Sequence, residues 1–212
     1  ADIKTADQLD LPTPEVEYHN IVAKPTGHQQ DMVKALSERA AKVHSGTVDP
    51  STDNMLKITS DGRKLGLDQR IINPMLPDEP GTKVNQCVDN ILQIWRDGQP
   101  EKLTQLVFCD ISTPQAAGSK KVAKTLDNPI LHALEQAVPE PEKPLAFTVY
   151  EDIRQKLIAQ GMPASQIAFI HEANTEVRKK ELFSKVRSGQ VRVLLGSTQK
   201  MGAGTNVQDL LV

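Results

Sequence analysis

Aromatic side chains are scarce, making up 3% of the sequence as one tryptophan, two tyrosines and four phenylalanines. That scarcity leaves few platforms for base stacking, and it requires aliphatic side chains to fill most of the core. Cysteine is nearly absent too. Cys87 and Cys109 both fall inside apolar patterns, where a buried thiol is expected rather than a disulfide or a metal ligand. No apolar run approaches the length of a membrane span, and no basic segment followed by an apolar one marks a secretory leader. These absences predict a reducing, cytoplasmic setting without membrane contact. Neither sign of charge dominates, the formal net charge being −2, which argues against a generic polycationic coat for nucleic acid. Also missing are a Gly-x-x-x-x-Gly-Lys-Ser/Thr loop and an acidic box that would hold magnesium beside a nucleotide. The chain alone is therefore not expected to hydrolyse ATP, and neither a catalytic residue nor a metal ligand is assigned.

What is present reads as ordered segments. Residues 2–27 are polar, with Pro12, Pro14 and Pro25, and predict an extended or loop region. Met32, Leu36, Ala40 and Val43 recur at helical spacing and predict a helix over 29–44, supported by the Glu38–Lys42 spacing and followed by Gly46. Residues 50–80 read as irregular, with Asp61-Gly62 as a turn and a short helix around 67–71. Val84, Cys87, Val88, Ile91, Leu92 and Trp95 form the clearest amphipathic stripe, a core-facing helix that Gly98-x-Pro100 ends. A buried strand is predicted over 106–111. Residues 114–144 read as an insertion with helices around 120–126 and 130–138; its Gly118-Ser-Lys-Lys start lacks the spacing of a phosphate loop.

After this insertion the alternation is regular. Residues 146–149 are a short strand or the start of the next helix, which Tyr150, Ile153 and Leu157 mark and which Gly161 and Pro163 close. A strand over 167–170, a helix over 175–187 and a strand over 191–195 follow. Such alternation predicts the α/β class, a parallel sheet flanked by helices, with ligands bound beyond the carboxyl ends of the strands. Asp110, Ser112, His171, Ser197 and Thr198 all fall at such ends.

The segment from Val191 to Asn206 carries most of the chemistry. Its apolar run closes on Ser197 and Thr198, whose hydroxyls can donate to anionic oxygens, while Gly202 and Gly204 allow backbone amides to approach closely. Around it, Arg178, Lys179, Lys180, Lys185, Arg187, Arg192 and Lys200 are seven bases against the single acid Glu181. A locally basic face on a nearly neutral body suits contact with a phosphate backbone, although a solvated helix face gives the same pattern.

Read from His171 to Asn206, the order of these residues resembles the second RecA-like lobe of superfamily 2 helicases. His171, Arg178, Phe183, Gly189 and Thr198 fall where that family has a strand-end His, a helix Arg and Phe, a Gly before the next strand, and a strand-end Thr. Ser197-Thr198 followed by Gly202-x-Gly204-x-Asn206 is similar to motif V of the Swi/Snf-type DNA translocases and departs from the Arg-Gly-x-Asp ending of DEAD-box proteins. Asp53-Asn-Met-Leu-Lys-Ile-Thr-Ser-Asp-Gly-Arg-Lys64 and Gln105-Leu-Val-Phe-Cys-Asp-Ile-Ser-Thr113 resemble the large helicase–methyltransferase fusion proteins of phages and conjugative elements. The resemblance spans about residues 50–212.

It implies residues 1–100 as a mainly helical extension and 101–212 as a RecA-like lobe that stops before the family's arginine-finger motif, with the 114–144 insertion inside it. It implies that Ser197, Thr198 and Lys200, with Asp110, Ser112 and Thr113, contact duplex DNA. Gly202, Gly204, Asn206 and Arg178 would couple that contact to the nucleotide. ATP and magnesium would be held mainly by a first RecA-like lobe of the same polypeptide, in a bacterial or phage-encoded protein. Three other readings stay open, of which a purely structural interaction domain leaves the order of the motifs unexplained. A nucleic-acid-binding module without motor activity needs only the basic face. A Rossmann-type nucleotide or methyl-donor domain could place Gly202-x-Gly204 after a strand, but it wants a third glycine, a following helix and an acid about twenty residues on.

Overall fold

The computed structural model describes residues 16–114, 147–202, 205 and 207–212. Three parallel strands, β1 (Gln105–Phe108), β2 (Ile167–Phe169) and β3 (Val193–Gly196), form one sheet in the order β1-β3-β2. All four residues of β3 are buried, as a central parallel strand covered on both faces requires. Val193 is level with both Gln105 and Ile167, so the three strands end at one common edge. On the outer side of β1, Leu211 bridges Thr104 in parallel, through Thr104 N–H to the Leu210 carbonyl at 2.7 Å and Val212 N–H to the Thr104 carbonyl at 3.0 Å.

The helices are α1 (Gly27–His44), α2 (Met55–Leu67), α3 (Lys83–Asp97), α4 (Val149–Ala159), α5 (Glu176–Arg187) and the single turn α6 (Thr198–Met201). Thr26, Asn54, Thr82, Thr148 and Thr175 each accept a hydrogen bond from a first-turn amide of the helix that follows. Each such cap stabilises its helix by about 1 kcal/mol, which is why these starts are sharp. Alternation along the strands then sends side chains to two cores. Val193, Leu195, Ile167 and Phe169 join Val84, Val88, Ile91 and Leu92 of α3 and Tyr150, Ile153 and Leu157 of α4. On the other face Leu194 joins Ile170, Val186 of α5 and Met201 of α6, with Leu106 and Ala168 beside them. The result is helices on both faces of a parallel sheet, the α/β arrangement that the alternation predicted.

Several segments differ from the expectations. The strands predicted over 106–111, 167–170 and 191–195 are three or four residues long, and Phe108 at the end of β1 is half exposed. The stripe of α3 packs into the main core, as its spacing predicted. Of the two alternatives for 146–149, the described residues give the helix entry, Thr148 capping α4 and Val149 beginning it. Asp61-Gly62 is not a turn: both residues lie within α2, where turn-forming propensity is overridden by packing. Ile58 and Leu65 bury one side of that helix, and Asp61 takes a 3.0 Å hydrogen bond from Arg39 of α1, which also grips Asp53 with two bonds of 2.7 and 2.9 Å. The helices expected within 114–144 lie outside the described residues.

Two buried arginines fix α3 and α4. Arg192, 1% exposed, donates to the carbonyls of Leu103, Trp95 and Gly98, so its charge sits at the carboxyl end of α3, where the helix dipole is negative. Arg70 lies in the short turn after α2. Its guanidinium bonds Asp68 at 2.7 and 3.0 Å and Asp152 of α4 at 2.8 and 3.1 Å, and it lies over the Phe147 ring at 4.6 Å. Lys156 completes the network with Asp78 at 2.6 Å, Asp152 at 2.8 Å and the Asn85 side chain at 2.6 Å. Burial opposes ionisation of Asp78, yet the bonds from Lys156 and Asn85 and the field of Arg70 outweigh it and hold its carboxyl below the ordinary carboxylate range.

Removing the cation at the centre would leave three carboxylates clustered, so Arg70→Met is expected to lower the unfolding free energy by about 3 kcal/mol, measured by urea denaturation. A loss under about 1 kcal/mol would mean the network is peripheral to stability. Because the Asp78 carboxyl is depressed in the folded state, its contribution is present above the unfolded value of about 3.9 and is lost as pH falls through the lower folded value. Asp78→Asn should accordingly flatten the acid limb of the stability profile, read as urea midpoints at stepped pH.

Candidate nucleic-acid interface

The common edge where the strands end gathers the chemistry. Beyond β1 the chain runs through Asp110, Ile111 and Ser112; beyond β2 it makes a short turn over Ile170–Glu172 that holds His171; beyond β3 it passes Ser197 directly into α6. The Asp110 carboxylate links two of these arms. It accepts from the Thr198 amide at 2.7 Å and from the Thr198 hydroxyl at 2.9 Å. A carboxylate thus sits on the very donors that the sequence offers to a phosphate.

The other predicted residues are placed unevenly. Ser197 is 7% exposed and lies at the base of the site, whereas Thr198 and Lys200 are at the surface. Ser112 has a left-handed backbone, φ 61°, and its hydroxyl accepts from the first amide of α4, Val149 N–H, at 3.0 Å. A non-glycine residue in that region is uncommon, and here the helix-start bond fixes it. Thr113 is half-buried beside it. Gly202 closes α6 through its amide to the Thr198 carbonyl at 2.7 Å, and a Cβ at Gly202 would stand 2.5 Å from that same oxygen. Arg178 is exposed in the first turn of α5; its amide donates to the Thr175 hydroxyl at 3.2 Å, and its guanidinium makes no hydrogen bond or ion pair among the described residues. Gly204 and Asn206 lie outside the described residues.

The basic face is smaller than the sequence implied, because Arg192 is buried against carbonyl groups and Lys179 pairs with Glu176 at 3.0 Å. Arg178, Lys180, Lys185 and Lys200 remain at the surface.

His171 has a distinct environment. Its ring stands edge-on to Tyr150, centroids 5.3 Å apart at 87°, and its Nδ1 is buried without a hydrogen-bond partner among the described residues. Burial, and then the charge of Lys200, push its pKa down, so the ring is neutral at pH 7. Tyr150 is itself anchored: its hydroxyl donates to the Cys109 carbonyl at 2.5 Å, and burial pushes the phenol up. This bond holds the turn before Asp110 against α4. Burial also pushes the thiols of Cys87 and Cys109 up, which suits inert core cysteines. Among the described residues no group of three or more His, Cys, Asp and Glu could hold a metal ion. No helix among them is long and apolar enough to cross a membrane.

Sequence reasoning found Thr198 and Asp110 but not their mutual bond. It also missed Tyr150 and Arg70 as the groups that hold the site, since a contact between residues far apart in sequence leaves no local spacing. Comparison with protein-family models, with curated proteins and with solved structures gives no match for the chain.

Two outcomes follow from the geometry. Asp110→Ala should free both Thr198 donors and cost about 1 kcal/mol of stability, read from urea midpoints; an unchanged midpoint would mean the pair is ornamental. For His171, a depressed folded pKa means full stability above the unfolded value of about 6.5 and a loss as pH falls through the folded one. His171→Phe should remove that slope between about pH 7 and pH 5, and a profile that keeps the parental slope would assign it to another group.

Proposed function

We propose that this chain is the second RecA-like lobe of a superfamily 2, Swi/Snf-type DNA translocase, of the kind found in helicase–methyltransferase fusion proteins of phages and conjugative elements. The observation that carries the reading is the meeting of Asp110, Ser112, His171, Thr198 and Lys200 at one edge of a parallel sheet, with Thr198 straight off the central strand. Asp110, Ser112, Thr198 and Lys200 are DNA-side groups on the family pattern, and His171 falls where that family has a strand-end His.

In this reading the lobe grips the DNA backbone through Thr198 and Lys200, and closes on ATP and magnesium held by the first lobe. Asp110 acts as a positioning residue. With both oxygens engaged, it holds the Thr198 turn in place and keeps its donors from pairing elsewhere while no phosphate is there. Gly202 serves the same turn, because any side chain there would collide with the Thr198 carbonyl. Gly204, Asn206 and Arg178 belong, on the family pattern, to the coupling of DNA contact to nucleotide. The exposed bases Arg178, Lys180, Lys185 and Lys200 also suit a binding module without motor activity, and the two readings differ in one measurable property.

That property is DNA-stimulated ATP hydrolysis. A polypeptide joining this lobe to a nucleotide-binding lobe and an arginine-finger segment is expected to hydrolyse ATP faster with duplex DNA, and Gly202→Val should abolish the stimulation. DNA binding without any stimulation in the parent would favour the binding module over the motor.

A further inference from the structure

We propose that α2, outside the RecA-like lobe, forms a second wall of the DNA track, in which Thr59, Ser60 and Arg63 take phosphate groups of the backbone across a cleft from Asp110–Ser112. The inference rests on the DNA-binding reading above and extends it to a helix that the reading does not use.

The cleft has a volume of about 390 Å3 and is lined by one face of α2, including Thr59, Ser60, Arg63 and Lys64, and by Asp110, Ile111 and Ser112. Positions 56, 59, 60, 63 and 64 follow helical spacing, so they share a face. The opposite side of α2 carries the buried Ile58 and Leu65. The polar stripe therefore faces the site because the apolar one is occupied elsewhere.

What the stripe offers is a set of uncommitted donors. Arg63 is exposed, and among the described residues its guanidinium makes no hydrogen bond or ion pair; the hydroxyls of Thr59 and Ser60 make none either. Neighbouring cations are engaged: Lys64 lies 3.7 Å from Asp61, and Lys57 bonds the carbonyls of Ser51 and Thr52 at 2.7 and 2.9 Å. Across the cleft, Ser112 accepts from Val149 N–H but keeps its own proton to donate. The one acid on that side, Asp110, has both carboxylate oxygens bonded to Thr198, which lessens its repulsion of an anion. A guanidinium flanked by hydroxyls is a donor set matched to tetrahedral phosphate oxygens, and a fork of this kind binds them two at a time. Because the cleft is continuous with Asp110 and Ser112, a strand lying on the sheet edge would run directly along α2.

The test is anisotropy of a fluorescein-labelled random-sequence duplex titrated with the full chain at several salt concentrations. Arg63→Glu is expected to weaken binding by about tenfold and to lower the salt slope by about 1, with Arg63→Ala intermediate and both unfolding at the parental urea midpoint. Lys200→Glu is run beside them. If Lys200→Glu weakens binding while both Arg63 variants keep the parental affinity and slope, the α2 wall is wrong and the DNA-binding reading stands. No binding of the duplex by the parent chain would overturn both. Equal competition by polyglutamate and by unlabelled duplex at matched charge would assign the cleft to acidic protein segments and overturn the proposal.

Discussion

The position of α2 against the sheet depends on one buried arginine. Arg70 is only 9% exposed in its side chain, and it binds Asp68 on its own turn and Asp152 on α4 at the same time. A lone buried guanidinium would be costly by several kcal/mol, and a lone pair of buried carboxylates equally so, which makes the two segments mutually dependent. Through this link the turn after α2 is tied to the helix whose first amide is held by Ser112. The position of α2 relative to the strand ends is therefore set by this ion pairing together with Leu67 and Ile71, which pack partly buried against the main core. That fits the weak burial of the N-terminal helices: α1 has no buried residue, and it is joined to α2 by Arg39, through Asp53 and Asp61, and by Gln29, through the Leu65 carbonyl.

The sheet follows different physics. β3 needs no ion pair, since Val193, Leu194 and Leu195 are wholly buried by helices on both sides. Yet the basic residue that precedes it, Arg192, is buried as well, and it is satisfied by carbonyl oxygens at the end of α3 instead of by an acid. This placement explains why a count of bases along the sequence overstated the surface charge. A cation next to a buried strand can serve the dipole of a helix underneath, and only the fold distinguishes that from a cation facing solvent.

Much of the α/β pattern was legible because it is written locally. The stripe of α3 and the aliphatic run of β3 each lie within about a dozen residues, so spacing alone reports them. Strand ends were read too long, because hydropathy continues past the last paired residue into the turns that hold Cys109 and Ile170. The α2 helix was missed for the opposite reason. Its Asp61-Gly62 pair signals a turn locally, and the groups that overrule it, Arg39 from another helix and the core around Leu65, come from elsewhere in the chain.

The site shows the same division. Serine, threonine and glycine after a strand announce an anion-facing turn, and the sequence also places an aspartate after β1, but nothing in their separate positions says that one answers the other. With Thr198 donating both its amide and hydroxyl to Asp110, the turn is neutralised within the protein before any ligand arrives. A phosphate must then compete with a carboxylate already in place, or approach beside it using donors that are not yet committed. Thr198 alone cannot supply those. Lys200 on the far side of the turn and Arg63 across the cleft can, since both are exposed. Grip on a polyanion at this edge would thus be shared among separate elements, each contributing one or two bonds. On the proposed translocase reading, such divided contacts suit repeated release and rebinding better than one closed cradle, because weak bonds in several places can be broken in turn.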